Sequence, residues 1–309
     1  MTDQLSRSPG TAAPSLLAGL LKAARPKQWA KNVLVFVAPG AAGVLTQGWF
    51  DHPTYLLRTI GAFVVFCAAS AGTYLLNDVM DREADRRHPT KRNRPIASGV
   101  VPVPVAVGAS AVLIVGSVVA AAVRSPHFAI VVGLYVALTS AYSLWLKQQP
   151  VLDLVGLSSG FILRLLGGAY AAEVEVTYWF LLIACFGALF IATCKRSAEK
   201  AELGADGASI RPTLGVYTES YLNFLKSVSA GMVLMSYSLF AVERAREHRP
   251  SSVWILTSIV PFAIAFLRYA LLVEQGKGSA PEEVILGDRQ LAVIGVIWAA
   301  LVGVSVYVR

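Results

Sequence analysis

"LLNDVMDREADRRHPTKRNRP", residues 75–95, sets four carboxylates and six Lys or Arg at the end of an apolar run. The run before it, about 56–76, is long enough to cross a ~30 Å hydrocarbon core as a helix. Ionisable groups that close to a membrane core are costly unless they face an internal cavity, so this charge calls for a use.

The rest of the chain resembles that apolar run. It has 309 residues, 55% hydrophobic and 15% charged, with mean hydropathy +0.59. A soluble domain carries about 25% charged residues. The apolar stretches are continuous, which excludes the apolar–polar alternation of a β-barrel. Nine spans are expected, at roughly 31–47, 56–76, 101–123, 127–146, 151–171, 177–194, 221–242, 252–272 and 290–308. The fold class is therefore all-α: a polytopic membrane protein of nine transmembrane helices in one integral-membrane domain, 1–309. Residues 1–13 read as a disordered tail without the charged start and short apolar core of a cleavable signal peptide. An amphipathic stretch near 14–24 is expected along the membrane surface. Cys67, Cys185 and Cys194 all fall in apolar segments and read as buried thiols.

Net charge is +8, but nucleic acid is not the partner it implies. With these spans, 18 Lys and Arg fall on the side of the N-terminus and 6 on the other, while Arg164, Lys226 and Arg268 sit in or beside spans. Basic residues gather in cytoplasmic loops. The N-terminus and the two long polar loops, about 77–100 and 195–220, are thus expected in the cytoplasm, in the inner (plasma) membrane of the cell.

If the second span continues as a helix to residue 85, each residue turns ~100°. Relative to Asn77, Asp78 then lies at about 100°, Asp81 at about 40°, Asp85 at about 80° and Tyr74 at about 60°, while Glu83 points away at about 240°. Three carboxylates and an amide on one stripe repel one another unless a cation joins them, and hard oxygen ligands suit Mg²⁺ bridging to substrate phosphates. A solvated helix end paired to Arg82, Arg86 and Arg87 is the competing reading. Pro89 and Pro95 make the following basic run, with Lys91, Arg92 and Arg94, a loop able to fold back over the acids. Arg there serves either as a membrane anchor or as a bidentate phosphate ligand.

The pattern Asn77-Asp78-x-x-Asp81-x-x-x-Asp85 resembles the first aspartate motif of the UbiA superfamily of intramembrane prenyltransferases. The resemblance covers nearly the whole chain. It implies a UbiA-like bundle with a cytoplasmic-side cavity that binds Mg²⁺ and a diphosphate. Within that superfamily, "RPKQWAKN" (25–32), "NDVMDREADRRHPTKRNRPIASG" (77–99), "YSLWLKQQPVLDLVGLSSGFILRLLGGAYA" (142–171) and "CKRSAEK" (194–200) are similar to a phosphoribosyltransferase branch. That likeness implies phosphoribosyl diphosphate as donor and polyprenyl (decaprenyl) phosphate as acceptor. The implied product, polyprenylphosphoryl-5-phosphoribose, is a precursor of cell-wall arabinan. Most of the superfamily carries a second acidic motif after the sixth span; here that place reads Lys195-Arg196-Ser197-Ala198-Glu199.

Roles follow from these readings. Asp78, Asp81 and Asp85, with Asn77, are expected to hold Mg²⁺ and Lys195 to act in catalysis, while Glu199, one turn on, either orients Lys195 or joins the metal site. Arg92, Arg94 and Arg196 are phosphate candidates. Lys27, Gln28, Lys31 and Asn32 end the first span on the cytoplasmic side, as Tyr142 and Lys147 end the fourth, all placed to meet an anionic head group. Arg164 sits near mid-span and needs a partner; Asp153, three turns earlier, is too far along the same helix to pair directly. His88 reads as a loop residue. Two other functions compete. A prenyltransferase acting on an aromatic acceptor predicts a second acidic motif, and an ion-coupled transporter predicts ionisable groups near mid-membrane in several helices. A homo-oligomer, with a trimer as a first guess, is the expected assembly.

Overall fold

The structure is a computed structural model, and it describes residues 15–45, 54–203, 212–247, 252–276, 284 and 287–307. The expected tail at 1–13 lies outside the described residues.

Every regular element among the described residues is helical. α1 (Leu16–Ala23) leads into a 3-10 helix (Pro26–Phe36) and the short α2 (Val37–Ala41). α3 (Thr54–Met80) and α4 (Arg82–Arg87) carry the acidic stripe. α5 (Val103–Arg124), α6 (Pro126–Leu144), α7 (Leu152–Ala172) and α8 (Tyr178–Leu203) follow. α9 (Pro212–Val216), α10 (Glu219–Glu247), α11 (Ser252–Thr257), α12 (Ile259–Glu274) and α13 (Arg289–Tyr307) complete the chain.

Eight helices among the described residues are long and apolar enough to span a membrane, with α11 and α12 together forming one of them. They match the expected second to ninth spans. Their outer faces are bare: Val112 is 72% and Val123 85% exposed, which suits hydrocarbon as solvent and not water. The protein is a multi-pass membrane protein.

The expected first span is the correction. Over its described part, 31–45, the expected span does not form a long α-helix; the 3-10 segment Pro26–Phe36 runs into α2, which is five residues long. Pro26 opens the segment and Pro39 falls inside α2, where each lacks the N–H of a regular ladder. A 3-10 helix rises about 2.0 Å per residue, so the two pieces still cover roughly 30 Å.

Close packing holds this segment in place. A Cβ built on Gly168 of α7 would lie 1.8 Å from the Val35 carbonyl oxygen, so only glycine lets α7 approach the 3-10 backbone there. A cluster of Val35, Ala62, Phe66, Phe128, Val132, Tyr135 and Leu163 forms the core between α3, α6, α7 and that segment. At one end of the bundle, Ala23, Leu75, Ile96, Val101 and Ala106 seat α1 on α3 and α5. The expected surface stretch is α1, which buries Gly19 and Ala23 and exposes Leu16, Leu17 and Leu21. At the opposite end the Tyr307 hydroxyl donates to the Gly40 carbonyl, joining α13 to α2. Cys67 and Cys194 are buried as expected, whereas Cys185 is half-buried.

Candidate active site

The acidic stripe is bent where it leaves the apolar core. α3 ends at Met80, and Asp81 (φ −84°, ψ 2°) separates it from α4. The i to i−4 bonds persist across the bend: Asp81 N–H donates to the Asn77 carbonyl at 2.9 Å, and Asp85 N–H to the Asp81 carbonyl at 2.8 Å. The face is therefore kept. Asp78 is 2% and Asp85 3% exposed, and Asp81 is half-buried. Glu83 turns outward and pairs with Arg86 at 3.3 Å.

Guanidinium groups close over the buried carboxylates. Arg94 donates to Asp78 Oδ1 at 3.1 Å and to Asp85 Oδ2 at 2.8 Å, so the basic loop folds back onto the stripe. Arg86 Nε holds the return through the Ala97 carbonyl at 3.0 Å. From the other side Arg25 donates to Asp78 Oδ1 at 2.5 Å and stacks over Tyr74, its carbon 5.0 Å from the ring centre. Arg25 reaches there from a left-handed backbone (φ 54°) directly before Pro26, a sparsely populated conformation for a non-glycine residue. Asp78, Arg25, Arg94, Lys22, Thr90 and Asn93 line a cavity of ≈ 240 Å³. A larger opening of ≈ 650 Å³ between α8, α10 and α12 is edged by Glu219, Glu274 and, from the quoted "CKRSAEK" string, Ser197, Ala198 and Lys200, but by none of the residues given a role from sequence.

Deeper in the bundle lies Arg164, 6% exposed. Its Nε donates to Asn32 Oδ1 at 2.7 Å, one terminal nitrogen to the Gly160 carbonyl at 2.6 Å, and the other to the Tyr135 hydroxyl at 2.8 Å. The guanidinium also stacks on the Tyr135 ring at 4.8 Å. Asn32, fully buried, is fixed in turn by donating to Cys67 Sγ at 3.3 Å and Ser70 Oγ at 3.4 Å.

A second polar cluster ties α6, α7 and α8 together beneath α9. Arg196 is 0% exposed and donates to Asp153 Oδ2 at 2.7 Å, Glu199 Oε2 at 2.7 Å and the Tyr142 hydroxyl at 2.6 Å. Tyr217, just past α9, donates its hydroxyl to Asp153 and accepts the Val151 N–H at 2.7 Å. Burial, then the bond to Asp153, pushes the Tyr217 hydroxyl above its ordinary pKa. Val151 has φ 67° and ψ −47°, and Leu152 N–H donates back to the Pro150 carbonyl at 2.8 Å, a tight γ-turn that a β-branched residue adopts only under constraint.

The remaining expected residues differ in exposure. Lys27, Lys91 and Arg92 are exposed, and Lys147 and Lys195 half-buried. Lys31 donates to Gln28 at 2.8 Å. Sequence reading missed Arg25, Tyr135 and Tyr217. Arg25 opens the quoted "RPKQWAKN" string and precedes a proline, a signal that was there to be used; the tyrosines carry none.

Three of the four acids, Asp78, Asp81 and Asp85, each turn one oxygen to an N–H donor: Arg25 and Arg94, Asn77 (3.0 Å to Asp81) and Arg94 respectively. Among the described residues no cluster of three His, Cys, Asp or Glu is gathered as a metal cage. The donor set itself fits a hard divalent ion, since each carboxylate keeps a second oxygen and Mg²⁺ takes few protein ligands beside substrate phosphates.

Residues 33–294 match the UbiA prenyltransferase family. A decaprenyl-phosphate phosphoribosyltransferase of Corynebacterium glutamicum is 44% identical over 296 residues, 95% of this chain and 88% of that protein. The protein of the same name from Mycobacterium tuberculosis is 43% identical over 295 residues, covering 94% and 95%. Among solved structures, a UbiA homolog from Archaeoglobus fulgidus bound to GPP and Mg²⁺ superposes with TM-score 0.63 at 18% identity, over 93% of this chain and 99% of that one. Digeranylgeranylglyceryl phosphate synthase gives TM-score 0.65 at 16% identity, over 94% and 99%. The bent acidic stripe, the helical bundle around it and these likenesses agree: the chain belongs to the UbiA prenyltransferase family.

Proposed function

We infer that this membrane enzyme transfers the 5-phosphoribosyl group from phosphoribosyl diphosphate to polyprenyl (decaprenyl) phosphate, releasing diphosphate. The observation that carries the reading is 42–44% identity over nearly the full chain to curated decaprenyl-phosphate phosphoribosyltransferases.

In the reaction a phosphate oxygen of the acceptor bonds to C1 of the ribose as the C1–oxygen bond to diphosphate breaks. The diphosphate leaves with the electron pair. The acceptor is already ionised near neutral pH, so no general base is needed. The task is to hold two anionic substrates in line and stabilise charge on the leaving group. Asp78, Asp81 and Asp85, with Asn77, would hold Mg²⁺, which when bound supplies Lewis-acid stabilisation of the leaving diphosphate. Arg25 and Arg94 orient Asp78 and Asp85 and offset their charge. The exposed Lys27, Lys91 and Arg92 form an outer basic rim that draws in a polyanionic donor from the cytoplasm. Arg196 belongs to the framework: it already donates to two carboxylates and the Tyr142 hydroxyl, so binding a phosphate would break a buried ion pair.

The test is transfer of label from ribose-labelled phosphoribosyl diphosphate into lipid, using purified protein, polyprenyl phosphate and Mg²⁺. Labelled lipid phosphate ester is expected. Turnover of a prenyl diphosphate with an aromatic acceptor, and none of the labelled donor, would overturn the reading.

A further inference from the structure

Among the described residues, no carboxylate pairs with the charge of Arg164. All three of its acceptors, Asn32, Gly160 and Tyr135, are neutral, and among the described residues it forms no ion pair. It lies twelve residues into α7 from Leu152, roughly 18 Å along the helix. A lone cation at that depth is costly, and such residues mark ligand paths. The contrast with Arg196 is direct: equally buried, that guanidinium is met by two carboxylates.

The group is also held rigidly and left with capacity. A guanidinium has five N–H donors, and three are used, so two remain, one on each terminal nitrogen. The Tyr135 hydroxyl accepts from Arg164, which leaves its own proton to donate outward. Asn32, anchored on Cys67 and Ser70, and the Tyr135 ring fix the plane of the fork. A fixed fork with two free N–H groups beside a hydroxyl donor matches the oxygens of a phosphate better than a chloride or a carbonyl.

Its location is beneath the candidate site. Ser70, under Asn32, and Asp78 are eight residues apart on α3, roughly 12 Å, with Tyr74 midway and carrying Arg25 on its ring. Arg164 thus sits about one substrate length beneath the acidic mouth.

We propose that Arg164, with the Tyr135 hydroxyl, is a substrate-binding fork for a phosphate monoester within the membrane, and that Asn32 is its positioning residue. This rests on the phosphoribosyl-transfer reading, which offers two sources of that group: the acceptor's lipid phosphate and the 5-phosphate of the donor.

The experiment measures binding to the full-length protein in detergent, without turnover. Farnesyl phosphate probes the lipid source, with farnesol as its neutral control. Ribose 5-phosphate probes the donor source, and Mg²⁺ with inorganic diphosphate probes the acidic mouth. Arg164→Gln is expected to weaken one of the two monoesters by about tenfold or more, and the one that is lost names the source. Arg164→Lys should recover part of that affinity. Farnesol and Mg²⁺-diphosphate should stay within about twofold of the parent. Thermal unfolding reports the fold of each variant; if Arg164→Gln does not fold, Tyr135→Phe carries the test, with about a threefold loss expected. Both monoesters retained by the variant, or Mg²⁺-diphosphate lost along with them, would overturn the proposal. Arg164-dependent monoester binding in a protein that does not turn over phosphoribosyl diphosphate would instead leave the fork standing and remove the function it was read with.

Discussion

Asp78 and Glu83 stand five residues apart and have opposite fates. Asp78 is buried under Arg25 and Arg94, whereas Glu83 faces outward beside Arg86. Asp78→Asn and Asp85→Asn should each cut kcat/KM by about a hundredfold or more, because each removes a charge from the proposed metal set. Glu83→Ala should stay within about twofold, since an exposed pair contributes little. Steady-state kinetics on the three variants checks this, and equal damage from all three would contradict the one-sided face. That face was legible because a helix turns ~100° per residue and the bend at Asp81 keeps the i to i−4 bonds. The partner of Arg164 was not legible, since Asn32 lies 132 positions away and only tertiary packing joins them. On the opposite face, Arg124 hydrogen-bonds Glu173 and, with Arg58 beside it, holds that carboxyl below its ordinary pKa. A lowered folded value means a stabilising contribution that is present above the unfolded pKa of about 4.3 and lost as pH falls through the folded value. Thermal unfolding followed from neutral to acid pH should show that loss in the parent and not in Glu173→Gln, and added salt should shrink it.

At the scale of elements, the site depends on how closely α7 approaches the 3-10 segment. Gly168 lies one turn from Arg164, and Val35, which it touches, lies three residues from Asn32. Gly168→Ala must push those backbones apart, which should cost on the order of 3 kcal/mol and separate Asn32 from Arg164. Gly116→Ala in α5, with open space around the added methyl, should be neutral or slightly stabilising. Thermal unfolding of the pair decides it; equal melting temperatures would mean that the approach is not needed. Eight spans were readable from hydropathy because an apolar run of that length has few other solutions than a spanning helix. The first segment was misread because hydropathy reports burial and length, not the ladder. Two prolines and a close backbone contact made it 3-10 and then broken, and neither changes how apolar it is. The γ-turn at Val151 escaped for a similar reason: it is held by Tyr217, 66 positions along the chain, which accepts the Val151 N–H and donates to Asp153.

For the whole molecule, the uneven division of basic residues, 18 against 6, predicts that the acidic mouth opens to the cytoplasm. In a cysteine-free background, Glu175→Cys, exposed beyond α7, should react with a membrane-impermeant thiol reagent on intact cells. Glu83→Cys should react only after the cells are opened. The reverse pattern would invert the molecule. The central claim, though, concerns what the mouth holds: a donor diphosphate gripped through a divalent ion by Asp78, Asp81 and Asp85. Calorimetric titration of phosphoribosyl diphosphate into the purified protein, with Mg²⁺ and with a chelator, tests it most directly. The account predicts binding that requires Mg²⁺ and that weakens by about tenfold or more in Asp81→Asn. Equal affinity with and without the metal, unchanged by Asp81→Asn, would contradict it.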